Sequence, residues 1–330
     1  MSVLLVGCYT AESGGNGAGI SVLRRTSSGE LVHESTLPMT SPSWLAEHPA
    51  LPMVYAANET ETGAVTSISL NGGELTALDV EGTGGADPCH LAVSPDGRFL
   101  FCANYTSGSL AVFALRDDGR IAGRTDLVQH SGSGPDADRQ ESAHVHMAVP
   151  SPDGSVVSAV DLGTDEIRSY AVSAAGRLSP RSVSKLPPGT GPRQLVRIPG
   201  SAEAYVAGEL SGELLTVRET AVGEFEFVTR TPATGGRSLV AHLEVLDSGT
   251  YLSNRGPDCI TAFKGGRASA DQPCGAHPRH FAVVGGICYV AAQQDDMITS
   301  FPLADLGNAE VRRFGTGSPS FLLPCRGELR

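Results

Sequence analysis

The stretch DPCHLAVSPDGRFLFCANY, residues 87–105, contains two short apolar runs separated by the turn sequence Ser-Pro-Asp-Gly. Two such runs around a turn predict a pair of short buried strands. The same template of strand, turn, strand and polar end occurs five more times, at 41–59, 143–162, 191–210, 239–256 and 277–294. In several copies a third strand follows, as at 109–115 and 166–172. The chain therefore consists mainly of repeated strands.

The spacing of the repeats predicts the architecture. The polar residues at the repeat ends align as Asn58, Asn104, Asp161, Glu209, Asn254 and Gln293. Their intervals are 46, 57, 48, 45 and 39 residues. A period near 47 residues with at least three strands is typical of a propeller blade, and 330 residues provide seven blades.

The seventh copy is divided between the two ends of the chain. SVLLVGCYT (2–10) resembles a second strand, and GSPSFLLPC (317–325) resembles the missing first strand. We expect the C-terminal strand to complete the N-terminal blade, which removes an open sheet edge. The predicted fold is all-β: a seven-bladed β-propeller formed as one domain by residues 1–330.

Composition and charge narrow the classes of partner. The net charge of −12, without a run of Lys or Arg, argues against nucleic acid or an anionic membrane surface as the main partner. Seven cysteines form an odd set without a Cys-x-x-Cys motif, which favours reduced thiols in the cytoplasm. No apolar stretch is long enough to span a membrane. We expect a monomer or a weak homo-oligomer.

Alignment of the first strands collects four histidines in one position of the repeat. That position holds Trp44, His90, His146, Gln194, His242, His280 and Phe321. The preceding position holds Ser43, Cys89, Val145, Arg193, Ala241, Arg279 and Ser320. First strands surround the central channel of a propeller, so these side chains are expected near one end of its axis. Each histidine either bonds the backbone of a neighbouring blade or contacts a ligand, and the sequence leaves both readings open.

Further charged residues are expected at the same end. Antiparallel pairing returns the end of each second strand to the start of the first, which brings in Glu209 and Arg255. The longest connection, 130–144, arrives there too and carries Arg139, Gln140 and His144. A cationic pocket on an acidic chain predicts a small anionic ligand, phosphorylated or carboxylated.

A metal centre is the weaker alternative. His144 and His146 are two residues apart and would share one side of a strand, but two ligands do not make a site and the nearby arginines repel cations. We therefore predict no metal.

Several motifs resemble a known family when taken together. They are GSGPDADRQESAHVHMAVPSPDG (132–154), DLGTDEI (161–167), GPRQL (191–195), GEL (208–210), SNRG (253–256) and HPRHF (277–281). In this order they resemble the seven-bladed propeller lactonases, which include propeller-type 6-phosphogluconolactonases and carboxy-cis,cis-muconate cyclases.

The resemblance implies an enzyme without a cofactor. It implies catalytic roles for His146, Arg193, Glu209 and Arg255, while His90, Arg139 and Arg279 match other recurring positions. Gln194 departs from the histidine that relatives often carry there, and DPCHL and LVAHL match loosely.

Three functions remain open at this stage. The first is a lactonase acting on an anionic sugar lactone, in which arginines stabilise the oxyanion and His146 and Glu209 share the acid and base roles in an undetermined order. The second is a cofactor-free cyclase or isomerase built on the same residues. The third is a non-enzymatic binding platform. The predicted substrate-binding residues are His90, Arg139, Gln140, His144, His242, Arg279 and His280.

Overall fold

A computed structural model describes residues 2–71 and 73–325. In these residues 28 strands form seven four-stranded antiparallel sheets. The strands are β1 (Ser2–Cys8), β2 (Gly19–Arg25), β3 (Leu31–Pro38), β4 (Pro42–Glu47), β5 (Met53–Asn58), β6 (Ala64–Asn71), β7 (Glu74–Gly82), β8 (Pro88–Val93), β9 (Phe99–Asn104), β10 (Ser109–Leu115), β11 (Ile121–Gln129), β12 (Val145–Pro150), β13 (Val156–Asp161), β14 (Glu166–Val172), β15 (Leu178–Lys185), β16 (Pro192–Arg197), β17 (Glu203–Gly208), β18 (Glu213–Ala221), β19 (Glu224–Pro232), β20 (Leu239–Leu246), β21 (Gly249–Arg255), β22 (Cys259–Lys264), β23 (Arg267–Pro273), β24 (Pro278–Val284), β25 (Ile287–Ala292), β26 (Met297–Pro302), β27 (Arg312–Gly315) and β28 (Pro319–Pro324).

Each sheet is one blade. Blades 2 to 7 are β4–β7, β8–β11, β12–β15, β16–β19, β20–β23 and β24–β27. Blade 1 combines β28 with β1, β2 and β3, and β28 pairs antiparallel with β1 from Leu4↔Pro324 to Cys8↔Pro319. The predicted seven-bladed propeller and its closure by the C-terminal strand are confirmed. Three short 3-10 helices lie at Ala11–Ser13, Gln293–Asp295 and Leu303–Asp305.

The core lies between the blades. Seven clusters of buried apolar side chains each join two neighbouring blades, including blades 7 and 1 across the closure. The second strands β5, β9 and β13 are buried on both faces, which explains why β5 and β9 read as continuous apolar runs instead of alternating ones. This packing holds the innermost strands of neighbouring blades in contact around the axis.

The innermost strands share an irregularity that positions the site. In blade 3, Pro88 pairs with Asn104 and His90 with Ala103, so Cys89 is an extra residue in a β-bulge. Register shifts occur at the same place in the other inner strands. A bulge re-aims its extra side chain. In the described part of the chain, no helix has the length and apolar character that a membrane crossing requires.

Candidate functional site

Two positions in every blade surround one end of the channel, which we call the channel mouth. The first is the bulge residue of the inner strand: Ser43, Cys89, His146, Arg193, Ala241, Arg279 and Ser320. The second is the residue that ends or directly follows the second strand: Tyr9, Glu59, Tyr105, Leu162, Glu209, Arg255 and Gln293. At this second position the backbone N–H returns to the segment before the inner strand, as Glu209 does to Gly191 O at 2.8 Å.

The register corrects the repeat alignment by one residue in blade 4. Met147 pairs with Val160 as His90 pairs with Ala103, so Met147 and not His146 is equivalent to His90. The repeat alignment had matched His146 to His90 because both are histidines, and this match concealed the shift. Because successive strand residues face opposite sides, a one-residue slip changes the direction of the side chain. His146 therefore belongs to the bulge position, together with Arg193.

The second-strand alignment contains the same error. Asn58, Asn104 and Asp161 end the second strands of blades 2, 3 and 4. The equivalent residues in blades 5 and 7 are Gly208 and Ala292, which pair with Pro192 and Pro278. Glu209 and Gln293 instead follow the second strand, as Tyr9, Glu59 and Tyr105 do. These last three residues were missed from the sequence, and the corrected alignment is the signal that identifies them.

The residues that follow the bulge form an axial ring: Trp44, His90, Met147, Gln194, His242, His280 and Phe321. Several of their rings are in contact, with centroids 3.7 Å apart for His242 and His280 and 4.0 Å apart for His280 and Phe321. His90 Nδ1 accepts the N–H of Ala148 in the next blade at 3.4 Å.

Other members of the axial ring repeat this contact with the following blade. Leu322 N–H donates to His280 Nδ1 at 3.3 Å, and Leu243 N–H donates to Gln194 Oε1 at 2.6 Å. Burial lowers the pKa of His90 to about 3 and that of His280 well below its usual value, so both rings are neutral. The geometry thus favours the structural reading for His90 and His280 over the predicted substrate contacts, whereas the buried His242 Nε2 has no hydrogen-bond partner among the described residues.

An arginine cluster formed by Arg139, Arg193 and Arg255 surrounds Glu209. Glu209 Oε2 accepts Arg193 Nη1 at 2.8 Å and pairs with Arg255 Nη2 at 2.9 Å, while Oε1 accepts Arg139 Nη2 at 2.8 Å. Glu209 is 1% exposed. Burial would raise its pKa, but Arg255, Arg193 and Arg139 hold it well below the usual range. The carboxylate is therefore permanently ionised near neutral pH.

His146 joins this cluster through Arg193. Arg193 Nη1 donates to His146 Nε2, so the neutral ring carries its proton on Nδ1. Burial and the charge of Arg193 lower the pKa of His146 well below its usual value. Cys89 Sγ donates to the His146 carbonyl at 3.4 Å, and burial raises the pKa of this thiol, which leaves it unreactive.

The long loop 130–144 delivers Arg139, whose Nη2 also donates to Tyr105 Oη at 3.1 Å. The neighbouring Gln140 points into the protein instead. Its Nε2 donates to Leu162 O at 2.8 Å and to Asp165 Oδ1 at 2.9 Å. The geometry therefore gives Gln140 a role in holding the loop and not the predicted contact with substrate.

His144 supports Tyr105 from behind. Its ring stacks on the Tyr105 ring with centroids 4.6 Å apart, and its nitrogens contact Tyr105 O at 3.1 Å and Glu141 Oε1 at 3.0 Å. Both nitrogens are thus engaged away from His146. Within residues 2–71 and 73–325, no group of three or more His, Cys, Asp or Glu side chains is placed to hold a metal ion.

Arg279 lies at the mouth apart from the arginine cluster. Its Nη2 donates to Tyr9 Oη at 2.7 Å, its Cζ lies 5.0 Å from the centroid of the Tyr9 ring, and Tyr9 Oη donates to Glu59 at 3.0 Å. Among the described residues, Arg279 makes no ion pair with a carboxylate within 4.0 Å.

Comparisons with known proteins identify the family and the fold. The family described as "Lactonase, 7-bladed beta-propeller" matches residues 3–312, which confirms the resemblance found in the sequence. A 6-phosphogluconolactonase of Bacillus subtilis is 32% identical over 234 residues, 68% of this chain and 66% of that protein. A 6-phosphogluconolactonase of Formosa agariphila is 28% identical over 90% of this chain and 91% of its own. The structure of a periplasmic gluconolactonase of Pseudomonas aeruginosa superposes with a TM-score of 0.89 at 29% identity, covering 98% of this chain and 99% of that one.

Proposed function

The chain belongs to the 7-bladed β-propeller lactonase family, and from this premise we propose that it hydrolyses the ring ester of an anionic sugar lactone of the 6-phosphogluconolactone type. The observation that carries the proposal is the convergence of Arg139, Arg193 and Arg255 on Glu209, with neutral His146 in contact with Arg193.

The charge of the arginine cluster supports an anionic substrate. Three guanidinium groups against one carboxylate leave an excess of two positive charges, before Arg279 is counted. Burial disfavours the charged form of Arg255 and lowers its pKa to about 10. A phosphate or carboxylate of the substrate would relieve this cost. The same donors can stabilise the oxyanion that develops when water attacks the lactone carbonyl.

The environments of Glu209 and His146 favour one assignment of the acid and base roles. Glu209 is held ionised by three arginines and is a poor proton acceptor, so its role is to orient the guanidinium groups. His146 is neutral and presents Nε2 to the cluster. Burial is the larger cause of the lowered pKa of His146, and the charge of Arg193 is the second. A bound anion offsets the charge of Arg193 and so raises the pKa of His146.

The reaction then follows from these positions. The lactone carbonyl oxygen accepts the Arg193 N–H that the structure shows donated to His146 Nε2. A water molecule then donates to Nε2 instead of Arg193. The water oxygen bonds to the carbonyl carbon while its proton moves to Nε2. The C–O bond of the ring breaks, and the same proton passes from Nε2 to the departing alkoxide, which leaves the hydroxy acid and a neutral histidine.

The test is hydrolysis of freshly generated 6-phosphogluconolactone in the presence of EDTA. Arg193→Ala should lower kcat about 10²- to 10³-fold, as loss of an oxyanion donor does. Arg218→Ala, an exposed arginine in the same blade, is the matched control. Absence of wild-type turnover above the spontaneous rate would refute the substrate assignment, and turnover of muconate-like acids instead would favour the cyclase.

We also propose that the enzyme acts in the cytoplasm. All seven cysteines are buried and unpaired, as expected in a reducing compartment. The check is fractionation followed by immunodetection, in which recovery with the periplasmic fraction would contradict the proposal.

A further inference from the structure

The half of the channel mouth opposite the arginine cluster has a different chemistry. Tyr9 comes from blade 1, and Ser43 and Glu59 come from the neighbouring blade 2. Tyr9 Oη donates to Glu59 Oε2 at 3.0 Å and to Oε1 at 3.1 Å, and it accepts Arg279 Nη2 at 2.7 Å. The sequence did not identify any of these three residues as part of a site.

Ser43 supplies an independent sign of a missing partner. Its side chain occupies the bulge position, equivalent to those of Arg193 and Arg279. The residue is 4% exposed, and Oγ has no hydrogen-bond partner among the described residues. Glu59 is an exception: its carboxylate is near enough for a weak hydrogen bond from the Ser43 hydroxyl, outside the normal geometry, and this bond lowers the pKa of that carboxyl. Buried hydroxyls are rarely left without a partner unless a ligand or water supplies one.

The set of donors and acceptors indicates which ligand chemistry fits. The arginine cluster offers N–H donors, which suit an anion or an oxyanion. Tyr9, Ser43 and Glu59 together offer hydroxyl donors, hydroxyl acceptors and carboxyl oxygens. An alcohol both donates and accepts a hydrogen bond, so this mixed set matches a row of hydroxyl groups better than it matches a phosphate.

The two halves of the mouth lie within electrostatic reach of each other. Burial raises the pKa of Tyr9, and the charges of Arg279 and Arg193 oppose that rise. Burial lowers the pKa of Arg279, but Tyr9, Glu59 and Glu209 raise it by a larger amount. Arg193 and Glu209 are therefore near enough to act on groups of the opposite half.

We propose that Tyr9, Glu59 and Ser43 form a hydroxyl subsite that binds the ring hydroxyls of the lactone and determines the preference for a polyhydroxylated substrate. The inference rests on the proposed function, since it names the groups of the same substrate that the second half of the site binds. Burial raises the pKa of Glu59, while Arg279, Ser43 and Tyr9 oppose that rise.

The experiment measures kcat/KM for 6-phosphogluconolactone and for its 2-, 3- and 4-deoxy analogues. The wild-type enzyme should reject at least one analogue by roughly tenfold or more, because that analogue leaves a buried polar partner unpaired. Glu59→Gln and Tyr9→Phe should reduce this ratio towards one by losing activity mainly on the fully hydroxylated substrate. Ser43→Ala is a smaller change that tests the same loss without removing a charge or the phenolic hydroxyl.

The controls separate recognition from stability. Glu61→Gln, two residues from Glu59 and exposed, should leave the ratio unchanged. If the variants lose the same factor on all four lactones, or if the wild type does not discriminate among them, the hydroxyl subsite is overturned while the proposed function stands. If the wild type hydrolyses none of the lactones, the proposed function is wrong and the subsite falls with it.

Discussion

Replacement of Glu209 by glutamine tests the charge balance of the arginine cluster. The change keeps the shape of the side chain but leaves Arg139, Arg193 and Arg255 without their shared carboxylate. Because Glu209 is 1% exposed, solvent does not compensate. Removing one partner of a buried ion pair costs about 3–5 kcal/mol. With about 2.1 cal/mol/K of unfolding entropy per residue, this lowers the Tm of a 330-residue chain by about 4–7 °C.

The same change should strengthen anion binding. At about 5 Å and an effective dielectric constant near 20, removal of one negative charge favours a monovalent anion by about 3 kcal/mol. Even half of that is roughly tenfold in Kd. Thermal unfolding in a buffer of weakly binding ions, with and without inorganic phosphate, measures both effects. Phosphate should restore much of the Tm of Glu209→Gln and raise that of the wild type less.

Two results would refute this reasoning. One is a Tm for Glu209→Gln equal to that of the wild type without phosphate. The other is an equal gain from phosphate in both proteins. Glu203→Gln, at a half-exposed glutamate in the same blade, is the matched control and should change neither quantity. Sodium chloride at the same ionic strength separates specific binding from screening.

Three further predictions concern residues around this cluster. Since the pKa of Glu209 is lower in the folded protein, its contribution to stability is complete above about pH 4.3, the unfolded value, and is lost as the pH falls through the folded pKa. In urea unfolding, the difference in free energy of unfolding between wild type and Glu209→Gln should therefore be constant above that pH and become smaller below it. His146→Gln should lower kcat about 10²- to 10⁴-fold at unchanged Tm, measured against the exposed control His33→Gln, and equal kcat values would remove His146 from proton transfer. Asp165→Asn should raise KM roughly tenfold with kcat within about twofold, because the carboxylate ties Gln140 of the long loop to the segment before Arg193; an unchanged KM in steady-state kinetics would contradict this role.

The sequence was sufficient for the architecture because each blade contains its own buried hairpin. Continuous apolar runs such as Phe99–Asn104 mark strands that are buried on both faces, and the split copy at the two ends predicts how the ring closes. These features are local, so a single chain reveals them without knowledge of contacts between blades.

The arrangement of the site was less accessible because it depends on register. The bulge inserts one residue before the axial ring, and the motif His144-Val145-His146 led the alignment to place His146 in that ring. Tyr9, Glu59 and Tyr105 were missed for the same reason. The engagement of Gln140 with Asp165 is a tertiary contact that no local pattern predicts.

The bulge also explains how structural and chemical roles are kept apart on neighbouring residues. Arg193 projects to Glu209 and His146, whereas the next residue, Gln194, bonds the backbone of Leu243 in the following blade. Since the packing around the axis and the chemistry depend on different positions of the repeat, the bulge residues can vary from Ser43 to Arg279 without disturbing that packing. Substrate preference within this fold should therefore follow the bulge and post-strand positions, while the axial ring should tolerate only residues that preserve its contacts with the next blade.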